Sequence, residues 1–146
     1  MTGFRQLTPA FWASPQIDAG DVASAAQEGF TLIVNNRPDG ESPDEPQGAE
    51  IEQAARAAGL AYLAIPISHA GFSEAQVSAL ADALANAGGP VLAYCRSGTR
   101  STLLWALAAA RAGEDPSRIA ALARDAGYDV SPVGEMIALY SSNAPR

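Results

Sequence analysis

The segment from Pro90 to Ala112 constrains the fold more than any other. Five apolar residues, Pro90-Val91-Leu92-Ala93-Tyr94, run into Cys95-Arg96-Ser97-Gly98-Thr99-Arg100-Ser101, and the stretch from Ser101 to Ala112 is then apolar on nearly every side. A helix with no polar face has to be covered all round. A short apolar run closed by a polar loop reads as a buried strand. The two fit together where helices pack against a sheet with strands covered on both faces.

The same alternation runs along the chain. Asp18 is a good N-cap for a helix through Ala23 and Ala26 to Gly29, and Thr31-Leu32-Ile33-Val34 reads as a strand. Ala49 to Ala58 predicts a helix stopped at Gly59, and Leu60 to Ile65 a strand ended by Pro66. Ser73 and Gln76 have capping-box spacing ahead of Val77, Leu80 and Leu84, with Gly88-Gly89 as the stop. Pro116 to Ala126 and Pro132 to Ser141 predict two more helices covering one sheet face, and Phe11-Trp12-Ala13 predicts an edge strand. The expected fold class is α/β, one domain over residues 1–146, with a central, mostly parallel sheet flanked by helices. Ligands of such sheets bind beyond the carboxyl ends of the strands, which brings Arg37, His69 and Cys95 toward one mouth.

Composition removes several functions. Nine arginines, with no lysine, face sixteen acidic residues for a net charge of -7, which argues against nucleic-acid and anionic-membrane partners. The N-terminal residues carry no apolar core of a signal peptide, so the expected location is cytoplasmic. One cysteine and one histidine provide neither a disulfide nor a typical zinc site, and no metal or cofactor is expected.

The chemistry therefore centres on Cys95. A thiol attacks as its thiolate, and three features favour negative charge beside it: the helix start, the flanking Arg96 and Arg100, and backbone N–H groups bent around Gly98. Ser97, Thr99 and Ser101 add hydroxyl donors, and Arg100 can hold an oxyanion with two parallel bonds. A buried structural cysteine is the plain alternative, but two arginines, a glycine and three hydroxyls in the six following residues are not core-like.

This loop resembles the active-site loop of rhodanese-type sulfurtransferases, and its strand-loop-helix setting resembles the P-loop of cysteine-dependent protein phosphatases. Together with Ser14-Pro15-Gln16-Ile17, the run Val34 to Glu41, and Ile65-Pro66-Ile67, it is similar to the beta-lactamase hydrolase-like protein, phosphatase-like domain family over roughly residues 5–140. The resemblance implies a dual-specificity-phosphatase-like fold, in members described as phosphatases or as sulfur transferases.

Spacing separates these two chemistries. Phosphatases of this type place five residues between cysteine and arginine, whereas four separate Cys95 from Arg100 and Ser101 stands at the expected arginine position. The shorter loop suits one persulfide sulfur better than three phosphoryl oxygens. The loop after the Ile65 strand, Ile67 to Phe72, contains no carboxylate to protonate a leaving oxygen. His69 is one candidate for that acid or for a substrate contact. Arg37 as an anion contact and Asp39 as a substitute acid are others, set against a role as turn residues. Glu41, Asp44 and Glu45 read as a solvated face, and Trp105 as core. The leading expectation is a sulfurtransferase carrying sulfane sulfur as a Cys95 persulfide from thiosulfate or a small persulfide to a thiol or cyanide. The alternatives are a phosphatase acting on a phosphate-containing substrate through a phosphocysteine, and an inactive anion- or partner-binding module.

Overall fold

The computed structural model describes residues 3–144. Five strands, β1 (Arg5–Thr8), β2 (Phe11–Ser14), β3 (Leu32–Asn35), β4 (Ala61–Ala64) and β5 (Val91–Tyr94), form one sheet in the order β1-β2-β5-β3-β4. The four strands from β2 to β4 are parallel and in register, so that Ser14, Tyr94, Asn35 and Ala64 end side by side. β1 pairs antiparallel with β2, so the α/β sheet is mixed but mostly parallel. Phe11-Trp12-Ala13 is a strand, but an inner one: the edge is β1, which shields β2 on that side.

Six helices accompany these strands, the first three as connections and the last three after β5: α1 (Ala19–Gln27), α2 (Gly48–Ala57), α3 (Glu74–Asn86), α4 (Thr99–Arg111), α5 (Pro116–Asp125) and α6 (Gly134–Ser142). Travelling from β2 through β3 to β4, the chain steps one way across the sheet, then returns to β5 in the middle. A right-handed crossover changes faces when the direction reverses, and the core divides accordingly. Ile33, Leu92 and Tyr94 pack with Val22, Ala25, Ile51 and Ala55 of α1 and α2. Leu32, Val34, Val91 and Ala93 pack with α3, α4, α5 and α6 on the other face. Alternate residues of one strand thus serve two cores, as the period of two requires.

Local signals account for the helix ends. Asp18 caps α1 by accepting from the Asp21 amide, while the Asp21 carboxylate accepts from the Asp18 amide. Ser73 and Gln76 make the same reciprocal pair at α3. Pro132 lies in a 3₁₀ turn, Ser131–Val133, that leads into α6. α4 begins at Thr99, two residues before the expected start, because Gly98 in the left-handed conformation (φ +92°) serves as its N-cap without any side-chain bond. Nine of its side chains, Ser101 to Ala108 and Ala110, are buried, as a helix without a polar face demands. Trp105 is core, stacked on Phe11 with ring centroids 6.2 Å apart. Among the described residues no helix is long and apolar enough to cross a membrane.

Candidate active site

β5 is the middle strand, and Cys95 follows its last residue. Its amide donates to the Ser14 carbonyl (3.3 Å) and the Gln16 amide donates to the Arg96 carbonyl (3.3 Å), which ties the loop to the end of β2. The chain then turns at Gly98, whose N–H donates to Cys95 Sγ at 3.1 Å. Gly98 is required twice over, by its positive φ and because a Cβ there would fall 2.1 Å from the Tyr128 hydroxyl oxygen. That hydroxyl donates to the Ser97 carbonyl (3.2 Å), closing the loop from outside. The Ser97 hydroxyl donates to Thr99 Oγ1 (2.9 Å) and accepts from the Thr99 amide (3.3 Å).

Arg100 and Ser101 leave the first turn of α4 in different directions. The Ser101 hydroxyl is wholly buried and donates to Asn36 Oδ1 at 2.8 Å, while Asn36 Nδ2 donates to the Ile65 carbonyl at 2.9 Å. These bonds fasten α4, the end of β3 and the segment after β4 to one another. Ser101 therefore holds the frame of the loop, with its own proton already donated. The Arg100 guanidinium instead turns to the mouth, where Nη1 donates to the Ile67 carbonyl (2.8 Å) and to Glu41 Oε2 (2.7 Å), and Nη2 donates to Glu41 Oε1 (2.8 Å).

Glu41 and Asp44 are exposed, as a solvated acidic run predicts, but Glu41 is also ion-paired. Its Oε1 also accepts from Arg37 Nε at 2.8 Å, so one carboxylate bridges two arginines. Glu45 pairs with Arg37 as well, through Nη1, which also donates to Gln16 Oε1 at 3.0 Å. Arg37 is only 6% exposed, and a buried guanidinium draws carboxylates to it because an unpaired charge there would be costly. Hydrogen bonding to Arg100, and after it to Arg37, outweighs burial and holds the Glu41 carboxyl down at about 2. Arg100 is shifted upward, chiefly by its hydrogen bonding to Glu41.

Beyond this ion pair opens a cleft of about 560 Å³, lined by Glu41, His69, Arg96 and Arg100 with Ile67, Ser68, Phe72 and Leu103. His69 is exposed on its rim. Cys95, in the same loop as Arg96 and Arg100, is fully buried and does not line the cleft. The fold thus gathers Arg96, Arg100 and His69 around one cleft, with Glu41 linking Arg37 to Arg100, and Cys95 stands buried in the loop that carries Arg96 and Arg100. Asp39 is engaged by α2: its Oδ1 accepts the Gly48 amide at 2.7 Å, at the helix N-terminus. Glu41, Gln16, Asn36 and Tyr128 are the partners that sequence reading did not assign. Only Arg37 and Glu41, four apart, offered a local signal, and it is a weak one in a proline-rich loop.

A fold of this kind occurs in known proteins. A curated Beta-lactamase hydrolase-like protein of Xylella fastidiosa is 34% identical over 134 residues, which cover 91% of this chain but 31% of that protein. The chain therefore spans about a third of the length of this relative. A Neisseria meningitidis protein solved as a candidate phosphatase is 30% identical, with a TM-score of 0.84 over 96% of this chain and 99% of that one. TpbA of P. aeruginosa, solved in complex with phosphotyrosine, is 19% identical, with a TM-score of 0.63 over 97% of this chain and 91% of its own. At that identity it shows the fold alone, that of the cysteine phosphatases. The model of the family described as Beta-lactamase hydrolase-like protein, phosphatase-like domain, matches residues 3–112, from before β1 through the last turn of α4, and the chain belongs to that family.

Proposed function

We propose that the protein is a cysteine-dependent phosphatase acting through a phosphocysteine at Cys95. The observation that carries this reading is the Gly98 N–H directed at Cys95 Sγ, at the end of the central strand and the head of α4. In this mechanism the phosphoryl oxygens are held by loop amides and by Arg100, beside Arg96. The Cys95 thiolate attacks phosphorus, the bond from phosphorus to the ester oxygen breaks, and its electron pair goes to that oxygen. His69, on the rim of the cleft, supplies the proton to the leaving oxygen and recovers one from the water that hydrolyses the phosphocysteine. The reading also suits the cytoplasm, where a lone thiol stays reduced.

The likeness to a Neisseria phosphatase candidate at 30% identity supports phosphoryl chemistry over the sulfur chemistry first expected. The spacing of four residues between Cys95 and Arg100 favours a second reading, a Cys95 persulfide formed from thiosulfate. One experiment separates the two. The protein and its Cys95→Ser variant are offered an aryl phosphate and, separately, thiosulfate, and intact mass is recorded. Turnover of the ester with a transient phosphoryl adduct on Cys95 establishes the phosphatase. A reductant-labile gain of one sulfur atom, without ester turnover, establishes the carrier.

A further inference from the structure

We propose that Glu41 is an internal occupant of the anion seat, so that a substrate oxyanion binds Arg100 by exchange with the Glu41 carboxylate. The inference rests on the reading of the Cys95 loop as a phosphate site and concerns how that site is filled.

The geometry is that of a bound oxyanion. Two parallel bonds, 2.7 and 2.8 Å, join the two oxygens of Glu41 to the two terminal nitrogens of Arg100, the forked arrangement with which arginine takes phosphate. With Arg100 so engaged, and its Nη1 also held by the Ile67 carbonyl, the guanidinium cannot present that fork to a ligand. Cys95 is fully buried, and Glu41 and Arg100 line the cleft together with Arg96 of the same loop.

Arg37 makes the parting reversible. Its Nε holds Glu41 Oε1 at 2.8 Å independently of Arg100, and Gln16 and Glu45 hold Arg37 itself. A Glu41 side chain displaced by an arriving anion keeps a cationic partner and is not left as an unpaired carboxylate. Arg37 is thus a positioning residue: it keeps the displaced carboxylate close enough to return when product leaves.

An internal competitor weakens every external ligand of the seat, so its removal must tighten binding, an outcome that a merely structural role for Glu41 would not produce. The test is equilibrium calorimetry with inorganic phosphate on the full chain and on Glu41→Gln and Glu45→Gln. Glu41→Gln is expected to bind phosphate about tenfold more tightly, about 1.4 kcal/mol. Glu45→Gln removes an equal charge from the Arg37 end of the cluster without touching Arg100, and is expected to stay within about twofold of the parent. Equal or weaker binding by Glu41→Gln, undetectable binding to both chains included, overturns the proposal. So does a gain in Glu45→Gln that matches it, since net charge alone would then be the cause. Should Glu41→Gln melt too low to assay, Glu41→Asp, one methylene too short to span both arginines, takes its place with the same two outcomes. Turnover is not measured, so an absent phosphatase activity and a refuted exchange remain separate results.

Discussion

The alpha carbon of Gly98 sits directly beneath the hydroxyl of Tyr128, so close that a methyl group on Gly98 would occupy the space of that oxygen. The tyrosine comes from the short segment after α5, and the glycine from the turn that aims an N–H at the cysteine sulfur. Gly98→Ala should therefore disturb both the backbone and the contact. We expect a loss of about 2 kcal/mol in denaturant unfolding, most of it from the positive φ, and loss of most Cys95-dependent chemistry. Tyr128→Phe, which removes one partly exposed hydrogen bond, should cost about 1 kcal/mol. In the double variant the clash with the hydroxyl is gone, so the two losses should sum to less than their separate values. Strict additivity would show that the two residues do not bear on one another.

Acid should weaken the mouth of the site in a window set by Glu41. Its carboxyl is lowered from 4.5 to about 2 in the folded protein, mainly by Arg100. A group whose proton affinity falls on folding adds stability that is complete above its unfolded value and disappears as pH drops through its folded one. The Glu41 contribution should therefore be intact above about 4.5 and vanish toward about 2. Melting temperatures of the protein and of Glu41→Gln, followed from neutral pH down to pH 2, should converge across that interval. Parallel curves would remove Glu41 from the acid response.

Arg37→Met should be costly although the new side chain is apolar and of similar length. It leaves Glu41 with one cation and Glu45 with none from this cluster. Removing one partner from a buried ion pair costs about 3 kcal/mol or more, and the quarter exposure of both carboxylates puts this case at the lower end. Urea unfolding gives the number directly, and a cost below about 1 kcal/mol would mean that the cluster is solvated after all.

Ser101→Ala should act through Asn36 and not through any lost contact with an anion. The variant leaves Asn36 Oδ1 buried without its 2.8 Å donor, which costs about 1 to 3 kcal/mol. Ser101→Thr retains the hydroxyl and should recover part of the stability. If Ser101→Ala lowers phosphate affinity without lowering stability, the hydroxyl belongs to the seat and not to the frame.

How much of this was legible follows from where each signal lies along the chain. Cys95, Gly98 and Arg100 fall within six consecutive residues, and loop chemistry of that kind needs no partner to be read. The capping boxes at Asp18 and Ser73 are equally local, and both helices begin where those residues say. α4 was placed two residues late because its cap is a left-handed glycine with no side-chain oxygen to announce it. β1 went unread because only Leu7 of its four residues is fully buried; its pairing with β2, not its own pattern, makes it a strand. Glu41 meets Arg100 across 59 positions of sequence, and an acidic residue among prolines looks the same whether it faces water or an arginine. The one-residue difference in loop length and the lack of a carboxylate between Ile67 and Phe72 point to sulfur chemistry, and the likeness of the whole fold to phosphatases pulls the other way.

The position of β5 has a consequence for how the molecule comes into being. Phe11 of β2 and Leu32 of β3 each neighbour Val91, and neither strand touches the other without it. During synthesis, the first ninety or so residues can form helices and the β3–β4 pair, but the sheet stays split until the last strand slides into the gap. Such distant pairing makes closure the slow event of folding. The strand that completes the sheet also carries the cysteine at its end, so the reactive thiol enters its loop only as the fold is finished.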